Sequence, residues 1–194
     1  MFRELRASLT LFLLLMLMTG FAYPFLVLNI GQAILPYQSN GSLIEENGKL
    51  IGSSLIGQNF SGDAYFHPRP SAAGSGYDAA HSSGSNLAPT SADLMKAVGD
   101  RAAALKLGNA SLSVPIDLVT TSGSGLDPDL SPAAARFQAA RVADARHTDV
   151  VKIQELIGAH IRPRDLGFLG DNRVNVLELN RALDQITPAP PSSP

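Results

Sequence analysis

A run of alternating serine and glycine residues has the composition best suited to ligand binding. It consists of Ser122, Gly123, Ser124 and Gly125. A segment with the pattern of a buried strand (residues 114–120) precedes it, and a predicted helix begins after it at Ser131. Backbone N–H groups in such a loop can hold an anion, helped by a helix dipole. The alternative is a tight turn, in which glycine adopts positive φ and serine hydroxyls bond nearby backbone groups. The residues themselves favour the turn.

A second candidate for chemistry is His81, which is followed by Ser82 and Ser83. A histidine base beside a serine nucleophile would make the chain a membrane-anchored serine hydrolase of the cell envelope. Adjacency in sequence is not the geometry of a catalytic triad, and the Gly-x-Ser-x-Gly nucleophile elbow is absent. We therefore keep the hydrolase as the alternative function and predict no catalytic residue.

Composition excludes several other classes of site. The chain has no cysteine, so a thiol nucleophile, a disulfide and a cysteine-based zinc site are impossible. Its four histidines lack the spacing of a metal site such as His-Glu-x-x-His, and we predict no bound metal. The only Gly-Lys pair, Gly48-Lys49, is followed by leucine instead of the serine or threonine of a phosphate-binding loop. A net charge of -2 without a basic run argues against nucleic-acid binding.

One long apolar segment predicts a membrane anchor. No charged residue occurs between Ala7 and Ile44, and residues 9–28 are almost wholly apolar. About 20 such residues form a helix about 30 Å long, the thickness of a bilayer core. A cleaved signal peptide is the alternative, but its apolar core is about 7–15 residues and ends at a small-residue cleavage site. We predict a transmembrane helix over residues 7–35.

The charges that flank this helix predict its orientation. Arg3 and Arg6 precede it, whereas Glu45 and Glu46 are the first charges after it. By the positive-inside tendency, residues 1–6 lie in the cytoplasm and the rest of the chain lies outside. Pro24 is expected to kink the helix.

Beyond the anchor, the pattern predicts a connector, a small α/β (α+β) globular domain and a tail. Residues 36–48 form the connector, residues 49–187 the extracytoplasmic domain, and residues 188–194 a disordered tail. Strands are expected within residues 49–60 and at 114–120. The Ser-, Gly- and Pro-rich stretch of residues 61–89 has no core periodicity, so it is either a functional surface or a segment ordered by a partner.

Four helices are expected in the domain, each from its capping residue and apolar spacing. They start after Thr90, Ser131, Thr148 and Asn175. Their inward residues are predicted to be Leu94, Val98, Ala102 and Leu105 in the first, Val151, Leu156 and Ile157 in the third, and Val176, Leu179, Leu183 and Ile186 in the fourth. On the second helix, Arg136, Arg141 and Arg146 are interpreted as one solvated face.

Taken together, the motifs resemble a known family. They are LIGQNF (55–60), YFHPRPSA (65–72), SSGSNLAPT (82–90), PIDLVTTSGSGLDPDLSP (115–132), RVADAR (141–146) and RVNVLELNRAL (173–183). In this order, behind an N-terminal anchor, they resemble the C subunit of the bacterial Kdp potassium-transporting ATPase over residues 1–187.

The resemblance implies an accessory, non-hydrolytic subunit of the bacterial inner membrane. Its partners would be the potassium-translocating A subunit and the ATP-hydrolysing B subunit. Family proposals give it two roles: an outer cap on the ion pathway, or a chaperone that raises the ATP affinity of the B subunit. The second would use the Ser/Gly loop with Gln138, so ATP is possible through the complex although no cofactor is expected to bind firmly.

Within this interpretation, residues 65–90 are the predicted partner surface, because they are turn-rich and lack core periodicity. The candidate contacts are Tyr65, Phe66, Arg69, Pro70, Ser83 and Asn86, with Pro24 as the candidate in the membrane helix.

Overall fold

The computed structural model describes residues 2–46, 48–107 and 112–187. The predicted tail, residues 188–194, lies outside these residues. The chain divides into two compact units, one that ends at Ser53 and one that begins at Ser54. The first contains the long apolar helix, and the second is a small domain of helices with short strands.

The apolar helix of the first unit runs from Phe2 to Ile34 with a mean hydropathy of 2.3. It consists of α1 (Phe2–Leu17), a π-helical segment (Met18–Ala22) and α2 (Tyr23–Ile34). At 33 residues it is long and apolar enough to cross a membrane, which confirms the predicted anchor-type helix. It begins five residues before the predicted start because the charged residues near the N-terminus continue the helix.

The π-helical segment ends at Ala22, two residues before Pro24. Proline has no N–H to donate, and its ring clashes with the carbonyl four residues earlier, here that of Gly20. The Tyr23 N–H instead closes the wider turn on the Met18 carbonyl. The helix therefore accommodates the proline through a π-helical turn and continues past it.

The polar end of this helix bonds within its own chain. The Asn29 side chain donates to the Phe25 carbonyl at 2.7 Å. The amides of Gln32 and Asn40 exchange two hydrogen bonds, each of 3.2 Å, across the short helix α3 (Pro36–Ser39). Antiparallel strands β1 (Leu43–Glu46) and β2 (Lys49–Ser53) then form a hairpin that spans the predicted boundary at residue 49.

The domain is built around three packed helices: α5 (Pro132–Ala145), α6 (Val150–Ala159) and α7 (Val176–Ile186). Two-residue strands β3 (Asp129–Leu130) and β4 (Val174–Asn175) pair antiparallel beside them. The largest fully buried apolar side chains are Phe66, Val142, Ile153, Ile157, Val174, Leu179 and Leu183. This mixed domain behind one long apolar helix is the predicted fold class.

Two of the four predicted helix caps are correct. Ser131 accepts a hydrogen bond from the Ala134 N–H, and Asn175 accepts one from the Glu178 N–H. The prediction for α6 was one residue off, because Asp149 accepts from the Val151 N–H. The predicted Thr90 cap is also wrong, since α4 (Ala92–Lys106) begins after Ser91 and without a side-chain cap.

Three predictions of buried structure were wrong. Residues 114–120 form no strand: Ile116–Leu118 is a 3-10 turn that exposes Ile116 and buries Leu118. The prediction for α4 is confirmed, since Leu94, Val98, Ala102 and Leu105 are half-buried whereas most other positions of this helix are exposed. Val151 and Ile186 are about half exposed, because α6 packs through Ile153 and Ile157 and α7 ends beyond the core.

Candidate functional site

The predicted partner surface is a long segment that the domain itself holds in place. Residues 61–90 form no helix or strand. Side chains of α5 and α7 bond backbone groups of residues 63–67, so the structure orders this part of the segment without a partner chain.

Two buried side-chain amides hold consecutive residues of this segment. Asn180 accepts from the Phe66 N–H at 2.8 Å and donates to the Phe66 carbonyl at 3.0 Å. Gln138 accepts from the His67 N–H at 2.8 Å and donates to the His67 carbonyl at 3.0 Å. The two amides therefore replace a neighbouring strand and satisfy backbone groups that would be costly to bury without partners.

Arg141 adds a second set of bonds to the same segment. Its guanidinium donates to the carbonyls of Asp63, at 2.5 Å, and Tyr65, at 2.9 Å. It also donates to the Gln138 side-chain oxygen at 2.8 Å. This arginine therefore belongs to the interior contacts of the domain, and its interpretation as part of a solvated face was wrong.

Arg146 is buried more deeply, with no exposed side-chain surface. It donates to the carbonyls of Ala64, at 2.6 Å, and Thr187, and it pairs with Asp184 at 2.7 Å. Its guanidinium also lies 4.7 Å from the centre of the Tyr65 ring. Of the three arginines assigned to a solvated face, only Arg136 is exposed.

Gln138 has no polar group left for a nucleotide. Its oxygen accepts from His67 and Arg141, and its amide nitrogen donates to the carbonyls of His67 and Ala134. The residue is 4% exposed. The amide, taken as a candidate nucleotide ligand, thus serves the packing of the domain.

The remaining predicted contacts of the segment differ in exposure. Phe66 is fully buried in the core, so its assignment to the surface was wrong. The Tyr65 hydroxyl donates to Asp184 at 3.2 Å. Pro70 is half-buried, Ser83 is half-buried, and Asn86 is exposed. Pro24 lies in the other unit, within the apolar helix.

Arg69 joins the segment to the Ser/Gly loop. Its guanidinium pairs with Asp127 at 3.1 Å and donates to the Thr121 carbonyl at 3.2 Å. Tyr77 in turn donates its hydroxyl to the Arg69 carbonyl at 2.5 Å, and burial raises the pKa of Tyr77 to about 12. Arg69 therefore bonds other residues of the same domain, and its side chain is only 23% exposed.

The Ser/Gly loop has the geometry of a tight turn. Gly125 has a φ of +67°, and a Cβ built on it would lie 2.4 Å from the Ser83 carbonyl oxygen. The Ser124 hydroxyl accepts from the Leu126 N–H, and the Ser71 hydroxyl donates to the Gly125 carbonyl at 2.6 Å. Ser122 is buried, whereas Gly123 and Ser124 are exposed. Helix α5 begins only at Pro132, so these residues are not at its N-terminus. Their hydrogen bonds are the local ones expected of a tight turn.

His81 does not form a pair with its neighbouring serines. Its Nδ1 lies 2.7 Å from an Asp78 carboxylate oxygen. The Ser82 hydroxyl donates to the Ser124 carbonyl, and the Ser83 hydroxyl donates to the Gly84 carbonyl. The arrangement expected of a histidine base and serine nucleophile is therefore absent from these three residues.

A groove of about 830 Å³ borders the segment of residues 61–90 on the side of α4. Its walls include Leu105 of α4, Phe137 of α5, Leu118 and Pro70, with His67 among its polar residues. Burial, and then the charge of Arg141, lower the pKa of His67. Of the apolar face of α4, Leu105 lines this groove and is half-buried.

Comparison with known proteins covers almost the whole chain. The profile of the family described as K+-transporting ATPase, c chain, matches residues 5–185. The chain is 54% identical over 190 residues to the potassium-transporting ATPase KdpC subunit of Rhodospirillum rubrum, covering 97% of this chain and 98% of that protein. It is 50% identical over 187 residues to the KdpC subunit of Mycobacterium bovis, covering 95% and 99%.

The chain belongs to the KdpC family. Its match runs through the apolar helix and the domain alike, so it is a component of a potassium-transporting ATPase and carries an anchor-type helix. The predicted resemblance is thereby confirmed.

The polar residues that organise this KdpC domain were partly missed in the sequence. Asn180 was passed over, although it interrupts the apolar stripe of α7 between Leu179 and Leu183. Arg141 and Arg146 stand in the quoted RVADAR motif but were interpreted as solvated. The signal available for Asn180 was that it is a polar residue on the predicted buried face of a helix.

Proposed function

We propose that this chain is the non-hydrolytic accessory subunit of the pump, with its domain outside the cytoplasm. It binds the potassium-translocating and ATP-hydrolysing subunits, is needed for their assembly and activity, and caps the outer entrance of the ion pathway. The observation that carries the proposal is the match to KdpC subunits over almost the full length of both chains.

The candidate polar side chains are engaged in hydrogen bonds within the domain, and this supports a role without catalysis. The hydroxyls of Ser82, Ser83 and Ser71 each donate to a backbone carbonyl. The side-chain amides of Gln138 and Asn180 bond the backbone of His67 and Phe66. Groups committed to internal hydrogen bonds stabilise a rigid shape, and a rigid shape suits a subunit that acts by binding other subunits.

The flanking charges support the orientation. Arg3 and Arg6 precede the main apolar stretch, and Glu45 and Glu46 follow the helix. In this orientation the loop of residues 122–125 lies across the membrane from cytoplasmic ATP. Any effect of this subunit on ATP affinity then acts through the hydrolysing subunit instead of through direct contact with nucleotide.

A deletion experiment tests the function. We expect that cells expressing the pump without this chain assemble less of the complex, and that the purified remainder lacks potassium-stimulated ATPase activity. The control is the same strain with the full chain restored. Full potassium-stimulated activity without the chain would refute the accessory role.

Cysteine labelling tests the orientation, and the absence of native cysteine makes the background clean. Ala80→Cys and Glu155→Cys introduce thiols at exposed positions of the domain, and Phe2→Cys introduces one at the N-terminus. A membrane-impermeant thiol reagent added to intact cells should label the first two variants and spare the third. The reverse pattern would place the domain in the cytoplasm and revive direct contact with ATP.

A further inference from the structure

An exposed hairpin with an apolar tip extends between α6 and α7, here called the 162–173 hairpin. Arg162 and Arg173 exchange backbone hydrogen bonds of 2.8 and 3.0 Å. Asp165 and Leu169 exchange two more, each of 2.9 Å. These two pairs of bonds join the arms of the hairpin at its base and next to its tip, so the tip has a defined shape in the free domain.

Three large apolar side chains form the tip. Leu166 is 82% exposed, Phe168 is 70% exposed and Leu169 is 50% exposed. None of them belongs to the hydrophobic core. Apolar side chains gathered on a projecting turn are typical of a surface that binds another molecule.

The charges around the tip are neutralised within the domain. Arg164 pairs with Asp171 at 3.0 Å, and Arg162 pairs with Glu178 at 2.5 Å. Arg173 lies between two carboxylates, at 3.3 Å from Asp165 and 3.5 Å from Asp129. A site for anionic lipid headgroups needs uncompensated cations. Since each arginine of this hairpin has a carboxylate partner, the tip matches an uncharged apolar surface on a protein better than an anionic membrane.

The backbone of Leu166 gives an independent indication. Its φ is +53°, in the left-handed region that strains a leucine and suits glycine. The side chain is exposed, so the packing of this domain does not offset that strain. A leucine at such a position is explained if its side chain makes contacts outside the domain.

We propose that the tip formed by Leu166, Phe168 and Leu169 inserts into an apolar pocket on another subunit of the same ATPase. This proposal rests on the proposed function, because it requires that the chain assembles with other subunits. Closed by its own hydrogen bonds, the hairpin binds without further ordering, which lowers the entropic cost of association.

The test uses the full chain, tagged and expressed together with the other subunits of the pump. Leu166→Gly removes the side chain while relieving the strained φ, so the fold is preserved. Phe168→Ser removes the aromatic ring. We expect each change to lower the recovery of the other subunits about tenfold in detergent, as for a central apolar contact of an interface. The control is Ile116→Ser, which removes a side chain that is also 70% exposed but lies on another turn.

Unchanged recovery with both hairpin variants would overturn the proposal. If the unmodified chain itself recovers no other subunit, it is the proposed function that fails. A photoreactive phenylalanine analogue at position 168 identifies the occupant: a crosslink to a pump subunit supports the proposal, and a crosslink to lipid alone contradicts it.

Discussion

Gln138 and His67 are joined by a reciprocal pair of hydrogen bonds across 71 residues of sequence. The glutamine amide bonds both backbone groups of the histidine, as a neighbouring strand would do. Asn180 bonds Phe66 in the same way. Through these pairs, a segment without helix or strand becomes a fixed part of the domain.

Replacing Gln138 is therefore expected to destabilise the domain. Gln138→Leu leaves the part-buried N–H and carbonyl of His67 without their partner, and an unsatisfied group of this kind costs about 1–3 kcal/mol when buried. The free energy of unfolding can be measured by pulse proteolysis of the detergent-solubilised full chain in urea. Gln154→Leu, at an exposed position of α6, is the matched control and should change stability by about 0.5 kcal/mol or less. A stable Gln138→Leu chain that lowers the ATP affinity of the pump would instead support the nucleotide role.

Arg69→Glu is expected to disturb the domain as well as any assembly. The new carboxylate would face Asp127, whose oxygen lies 3.1 Å from the native guanidinium. Because the pair is partly exposed, solvent reduces the effect to about 2 kcal/mol. Urea midpoints of the full chain measure this change, with Arg136→Glu on the exposed side of α5 as the control. If Arg69→Glu keeps wild-type stability yet loses the other subunits, Arg69 acts at the interface.

Two glycines should respond in opposite directions to the same substitution. Gly125→Ala combines a φ of +67° with a Cβ placed 2.4 Å from a backbone oxygen, so a loss of at least about 2 kcal/mol is expected. Gly99→Ala lies within α4 with nothing within 4 Å of its Cβ. This second change should stabilise the chain by about 0.5–1 kcal/mol, because alanine is the better helix former. Equal stability of the two variants in thermal unfolding would contradict this account of the Ser/Gly loop.

The stability of the domain should fall in mildly acidic solution because of His67. Burial and the nearby Arg141 hold its pKa below the ordinary value of about 6.5. As the pH falls through about 6.5, the unfolded chain takes up a proton that the folded domain does not, so the free energy of unfolding decreases. The loss should level off below the folded-state pKa.

His67→Gln should remove this part of the pH dependence. The measurement is the urea midpoint of the full chain between pH 8 and pH 5 for the native protein and the variant. An identical decline in both chains would show that other groups cause it.

The sequence predicted those features that depend on neighbouring residues. The apolar helix follows from the uncharged stretch between Ala7 and Ile44. The starts of α5 and α7 follow from Ser131 and Asn175, whose side chains bond N–H groups three residues later. Residues 122–125 also have the local hydrogen bonds of the turn that their composition favoured, because glycine and serine side chains and backbone can satisfy such a loop locally.

Features that join distant parts of the chain were not predicted. The helical pattern of α5 predicts that Arg141 and Arg146 lie on this helix. It does not indicate that carbonyls of residues 63–65 lie against them. Phe66 was assigned to the surface because its neighbours lack periodicity, although it is fully buried.

By itself, the sequence determined the anchor-type helix, the mixed domain, the caps of α5 and α7, and the family. Each of these depends on composition, on local hydrogen bonds or on the order of motifs along the chain. Only the tertiary structure decided which polar residues are internal, because Gln138, Asn180, Arg69 and Arg146 meet partners 38 to 114 residues away. A buried polar side chain is stable only when a partner satisfies it, and whether such a partner is present depends on how the whole domain folds.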